Sequence, residues 1–146
     1  MKKITIITSI VAALVVLIAL VPAAAAQSTN ATICMEFEKT IVNPAGVWEG
    51  SVSGGVNGNL TTQLQSLEVT GNIWHVVFLW IVDAGDQSFT ATMDGILNTG
   101  TGGVVMNGTV TEGWLLGATV HEAGQAQDAA GANFVGQICV MPATAG

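Results

Sequence analysis

The sequence predicts an all-β protein, a single eight-stranded antiparallel β-barrel preceded by an N-terminal signal peptide. Three observations lead there. Glycine is abundant, with 18 in 146 residues, which disfavours helices. Between the glycines lie short segments rich in Val, Thr and Ile, several of them alternating apolar and polar residues. Finally, Cys34 and Cys139 stand near the two ends of the chain that follows the leader, where a bond would join the first strand to the last.

The leader comes first. Lys2 and Lys3 form a positive start, an apolar run follows from Ile4 to Val21, and Pro22 precedes Ala23 to Ala26. Small residues before the junction fit cleavage after Ala26, leaving a polar tail over 27–32 and the barrel domain over 33–146. The alternative is a retained anchor, since a run of about 18 residues can span a bilayer. Either reading puts the domain outside the cytoplasm, secreted or extracytoplasmic, and cleavage would free it from the membrane. In such an oxidising compartment an even pair of cysteines reads as a disulfide, Cys34–Cys139, rather than as two free thiols. The chain-entropy estimate for a loop of about 100 residues is roughly 4.7 kcal/mol.

The strands are read at Ile33–Val42, Val47–Ser53, Leu60–Val69, Trp74–Asp83, Ser88–Leu97, Val104–Thr111, Leu115–Glu122 and Phe134–Met141. Each break has turn chemistry: Asn43-Pro44-Ala45-Gly46, Gly54-Gly55 with Asn57-Gly58, Gly71-Asn72, Asp83-Ala84-Gly85-Asp86 and Thr99 to Gly103. Gly124 to Asn133 is the longest irregular stretch. Glycines at 50, 95, 108, 117 and 136, placed within strands, point to sharp curvature or close packing. In the third strand Leu60, Thr62, Leu64 and Ser66 share one face and Leu67 the other. The fourth differs: Trp74, Val76, Phe78, Trp80 and Val82 oppose His75, Val77, Leu79 and Ile81, and both faces are largely apolar. A single-layer barrel has one interior, so the outer of these two faces predicts a homo-oligomer.

Charge excludes several functions. Arg and Tyr are absent, and past the leader Lys39 is the only basic side chain against ten acidic ones. Such a chain is no nucleic-acid binder and is not built for anionic membrane surfaces.

Residues Trp48 to Met141 resemble the allene oxide cyclase-like and dirigent-like barrels. The carrying residues are Ser88 to Gly95, Thr99 to Val104, Gly117-Ala118 and Gly131 to Ile138, with Phe134-Val135-Gly136 matching half of a dirigent-type motif. The resemblance implies a secreted or organellar eight-stranded barrel, often dimeric or trimeric. It implies no dirigent chemistry, which uses Arg and Tyr around the pocket. Gly46-Val47-Trp48 is also similar to the Gly-x-Trp that opens lipocalin barrels, an architecture of the same kind.

Candidate catalytic residues are few. His75 and His121 are the only imidazoles, the usual general bases near neutral pH. Glu49 and Glu112 sit next to glycines on predicted strands, and either one, turned inward, would have its pKa raised by desolvation. Lys39, between Glu38 and Thr40, reads as a solvated edge charge beside Glu36 or Glu38. No His spacing suits a metal, two cysteines alone make no metal site, the glycine-rich Gly100 to Gly103 segment lacks a phosphate-loop Lys, and no cofactor is expected. Asn30, Asn59 and Asn107 begin glycosylation sequons.

The leading functional expectation is a barrel that binds a small apolar molecule or other copies of itself. The alternatives are a cofactor-free isomerase or cyclase of the allene oxide cyclase-like type, and a structural cell-surface protein. An inward acid in a wet cavity would favour the enzyme, and an apolar cavity the binder.

Overall fold

The computed structural model describes residues 31–144; the expected signal peptide and the start of the polar tail lie outside the described residues. The chain forms eight strands: β1 (Ile33–Asn43), β2 (Val47–Gly54), β3 (Gly58–Thr70), β4 (Ile73–Asp83), β5 (Phe89–Asn98), β6 (Gly103–Gly113), β7 (Thr119–Ala126) and β8 (Asn133–Met141). One 3-10 turn, Gly85–Gln87, is the only helical element among the described residues. Each strand pairs antiparallel with the next, and β8 returns to β1, closing the barrel. Closure leaves no unpaired sheet edge.

The seam between β1 and β8 is the one strand pair that no turn joins. Cys34 and Cys139 face each other there, their Cα atoms 4.1 Å apart, and are disulfide-bonded. Both are half-buried and sit on the outer surface, since their neighbours Met35, Ile138 and Val140 point into the core. The cystine therefore supplies the connection that sequence adjacency supplies elsewhere.

Strand alternation settles which face is inside. On β4, Val76, Phe78, Trp80 and Val82 are buried, whereas Val77, Leu79 and Ile81 face outward and are half-covered. Their neighbours across the sheet are mostly polar: Ser66, Gln63 and Thr61 on β3, Asp94, Thr92 and Thr90 on β5.

Two features of the sequence reading change. The strand expected at Leu115–Glu122 begins only at Thr119. Trp114 to Gly117 form a tight turn in which Leu115 has φ +59° and Gly117 φ +84°, and the Ala118 N–H donates to the Leu115 carbonyl. Gly117 thus belongs to a turn and not to a strand. The apolar Leu115 is used to pack the barrel end, and Leu116 is 67% exposed. On β3 a bulge between Leu64 and Ser66 shifts the register, so that Leu67 pairs with the inward Val76. Leu67 consequently ends on the same side as Leu64, because a bulge inserts one residue and inverts the alternation beyond it.

The two barrel ends differ. At one, the turns after β2, β4 and β6 bring Val56, Ala84, Leu115 and Ala118 against Leu60, Val82, Phe89 and Val110, filling the interior. At the other, the turns after β1, β5 and β7 surround an opening, and the turn after β3 is tied to that after β5 by the Thr99 N–H, which donates to the Asn72 carbonyl.

Candidate functional site: a one-ended cavity with a buried charge pair

The open end leads into a cavity of about 730 Å³. Its walls are apolar and aromatic: Ile41, Trp48, Leu64, Leu67, Trp74, Val76, Phe78, Leu97, Val104, Met106 and Phe134. Pro44 to Gly46, Thr99 to Gly102 and Ala126 to Gly131 form the rim. The last of these is the stretch read as irregular from Gly124 to Asn133. Residues Gly124 to Ala126 in fact complete β7, and the true loop is shorter. It is held in shape by Asp128, whose carboxylate accepts N–H bonds from Ala132 (2.9 Å) and Asn133 (2.8 Å) and one from the Asn133 side-chain amide (2.9 Å). Those bonds, the Ala132 N–H first, hold the Asp128 carboxyl below its usual pKa. The Trp48 indole N–H donates to the Gly131 carbonyl at 3.2 Å, tying the loop to β2. The Trp48 ring meets Phe78 edge to face at 5.4 Å.

Lys39 lines the cavity, contrary to the reading of it as a solvated edge charge. Its side chain is 4% exposed and that of Glu122 is 0%, with Nζ 3.9 Å from Oε1. The reason lies in the alternation of β1. Met35, Phe37 and Lys39 share the inward face, while Glu36, Glu38 and Thr40 point out. On β7, Val120 and Glu122 likewise share the inward face. Around the ammonium stand Trp80, Phe78, Phe37 and Phe134, with ring centroids 4.5, 5.2, 5.3 and 5.6 Å away. Cation–π attraction to such rings offsets part of the cost of burying the charge.

Space for this cluster comes from two inward glycines, Gly124 and Gly136, paired across β7 and β8. A Cβ on Gly124 would lie 2.9 Å from the Phe37 ring, and one on Gly136 2.8 Å from it. Only glycine lets that ring lie against the wall.

The charges are under-satisfied. Neither Glu122 oxygen has a hydrogen-bond partner, nor do the buried Trp80 indole N–H and Thr62 hydroxyl. Desolvation raises the Glu122 pKa to about 7, and the charge of Lys39 opposes this only in part. Desolvation likewise lowers the Lys39 pKa, against the pull of Glu122. Both shifts point toward a neutral amine beside a neutral acid, because an apolar interior penalises the two charged forms.

None of the four sequence candidates joins this cluster. Glu49 is exposed on β2 opposite Thr40 and Thr61. Glu112 is exposed beside the bulge that pairs it with Thr90. His75 is exposed, flanked by Glu68 and Ile96. His121 is half-buried on the outer wall, its Nδ1 2.8 Å from Asn107 Oδ1. The inward acid is instead Glu122, the residue next to His121. One signal in the sequence would have found the pair: each member continues an apolar i, i+2 row, Met35-Phe37-Lys39 and Ala118-Val120-Glu122.

Fold and site together define an eight-stranded barrel with one filled end and one open, aromatic cavity. Comparison with protein-family models, with curated proteins and with solved structures finds no match.

Proposed function

We propose that the protein is an extracytoplasmic barrel that holds a small apolar molecule in its open end. The observation that carries this is the cavity: about 730 Å³, open at one end, walled by aromatic and aliphatic side chains, with polar groups confined to its floor and rim. Small-molecule pockets of about 300–1,000 Å³ have this composition, with a few polar groups fixing orientation, and small barrels with an unfilled lumen hold single ligands. The disulfide is consistent with an oxidising compartment.

The direct test is fluorescence titration with N-phenyl-1-naphthylamine, a neutral apolar probe that brightens on leaving water. Saturable binding is expected, and Leu97→Trp, which fills the mouth, should abolish it in a chain that still folds. Absence of saturable binding to the unmutated protein rejects the reading.

Glu122 favours a second reading, a cofactor-free isomerase or cyclase of the kind the allene oxide cyclase-like resemblance implies. An acid with a pKa raised to about 7, 3.9 Å from the Lys39 amine on the cavity wall, is suited to proton transfer. The outer face of β4, with Val77, Leu79 and Ile81 in a row, further supports self-association, which leaves the open end free.

A further inference from the structure

Within the binding reading, the cavity floor narrows the class of ligand. Lys39 offers an amine held between Trp80 and Phe78, with ring centroids at 4.5 and 5.2 Å, facing the cavity. Glu122 lies 3.9 Å away, and both its oxygens lack partners although it is fully buried. Among the described residues these are the only buried ionisable side chains. An amine in an apolar pocket is the usual setting for an uncharged, nucleophilic lysine. A carboxyl beside it can give and take a proton. Glu122 is not on the cavity wall but stands 3.9 Å from the Lys39 amine, so the ligand atoms nearest it are those joined to that amine, and a carbonyl oxygen that becomes a hydroxyl is one of them.

We propose that Lys39 is a covalent capture site: its ε-amine condenses with an apolar aldehyde or ketone that enters the cavity, with Glu122 relaying the proton. This proposal rests on the binding reading. The lone pair of the Lys39 amine attacks the carbonyl carbon and forms the C–N bond, while the carbonyl π-pair moves to oxygen, which takes the proton of the Glu122 carboxyl. The nitrogen then returns a proton to the Glu122 carboxylate. Glu122 passes this proton to the hydroxyl, the C–O bond breaks and water leaves, and the nitrogen lone pair makes the C=N bond, its remaining proton returning to the Glu122 carboxylate. In sum an amine and a carbonyl give an imine and one water, with no oxidant or reductant, and hydrolysis releases the ligand by the reverse steps. The burial that lowers the Lys39 pKa and raises that of Glu122 to about 7 favours the uncharged amine and the protonated acid that these steps use. An apolar body suits the walls, and a terminal or near-terminal carbonyl would reach the floor.

The experiment uses trans-cinnamaldehyde with sodium cyanoborohydride at neutral pH, followed by peptide mass mapping. The reductant converts any imine into a stable secondary amine. Lys39 is the only lysine beyond Lys2 and Lys3 of the leader, so its adduct is read without ambiguity, and the chain's other amines serve as internal references. Lys39 should label about ten-fold faster than those references. Glu122→Gln should slow labelling at Lys39 roughly 100-fold, with its fold checked by near-ultraviolet circular dichroism. Labelling of the other amines without labelling of Lys39, or a rate at Lys39 unchanged by Glu122→Gln, overturns the proposal. Cinnamyl alcohol, which has the same body without the carbonyl, separates the two levels. If it displaces N-phenyl-1-naphthylamine while Lys39 stays unlabelled, covalent capture is wrong and the binding reading stands. If the probe itself shows no saturable binding and Lys39 stays unlabelled, both fall.

Discussion

The two ends of this barrel are built from the same kind of strand and reach opposite outcomes. At the closed end, the turns after β2, β4 and β6 each deliver an apolar side chain inward, and Val56, Leu60, Val82, Phe89, Val110 and Ala118 are all buried. At the open end the turns carry Pro44, Ala45, Thr99, Thr101 and Gln127, which line a mouth and do not fill it. Between them lies the floor, where Lys39 and Glu122 occupy positions that apolar residues would otherwise fill. Stability is therefore expected to reside in the closed end and ligand chemistry in the open one. A closed lumen of this size has room for both, because side chains need to fill only one half of it.

The largest effect should come from the seam at the closed end. Replacing both cysteines, Cys34→Ser with Cys139→Ser, is expected to lower the unfolding free energy by up to about 5 kcal/mol, read from urea midpoints. A loss below about 1 kcal/mol would mean that strand pairing alone holds β1 to β8.

The comparison itself is tested by one truncation at each end. Phe89→Ala in the filled end should cost about 3–5 kcal/mol. Leu97→Ala at the half-exposed mouth should cost roughly 1 kcal/mol, since most of the removed surface already faces the cavity or solvent. Equal losses would show that the open end is closed in solution.

The floor gives a pH signature. Glu122 has a pKa raised to about 7 from 4.5, so the folded chain holds this proton more tightly than the unfolded chain. Its contribution to stability is fully present below about pH 4.5 and is lost as pH rises toward 7, a decline on the order of 3 kcal/mol. Lys39 has a lowered pKa and acts with the opposite sign on the alkaline side: stability returns as pH climbs from its folded pKa toward 10.5. Urea midpoints measured across pH should thus dip between the two limbs, and Glu122→Gln should remove the acid limb. An acid limb of the same depth in that variant would show that another group causes it.

The smallest change in stability is expected on the outer wall, which belongs to neither end. Leu79→Asp should shift unfolding by about 1 kcal/mol or less and should convert an oligomer into a folded monomer in light scattering. A monomeric unmutated protein would leave the outer face of β4 as simply one more half-covered sheet surface.

How much of this was legible varies by residue. The eight strands and the cystine followed from glycine spacing, turn chemistry and two cysteines, because backbone propensity and a single covalent option are local facts. The boundaries of β7 did not follow: Leu115 and Leu116 look like strand residues, but their use in a turn depends on Leu115 packing against the barrel end. The bulge that turns Leu67 inward was hidden for a similar reason, since an inserted residue leaves no mark of its own in an alternating pattern. Lys39 reads as exposed on its charge alone, and Glu122 is not among the residues that the sequence singles out. In the row Met35-Phe37-Lys39 the period was the better guide.

The sequence by itself determined the all-β class, the strand count, the seam disulfide and the lack of cationic surface, because these depend on composition and on period-two patterning along the chain. Only the tertiary structure decided which end of the barrel is filled, and that the side chains at 39 and 122 meet. The two residues are 83 positions apart in the chain and are brought to one level of the lumen by closure through β8. That level is set by the stagger of eight paired strands, a cooperative property of the closed sheet that no single segment encodes.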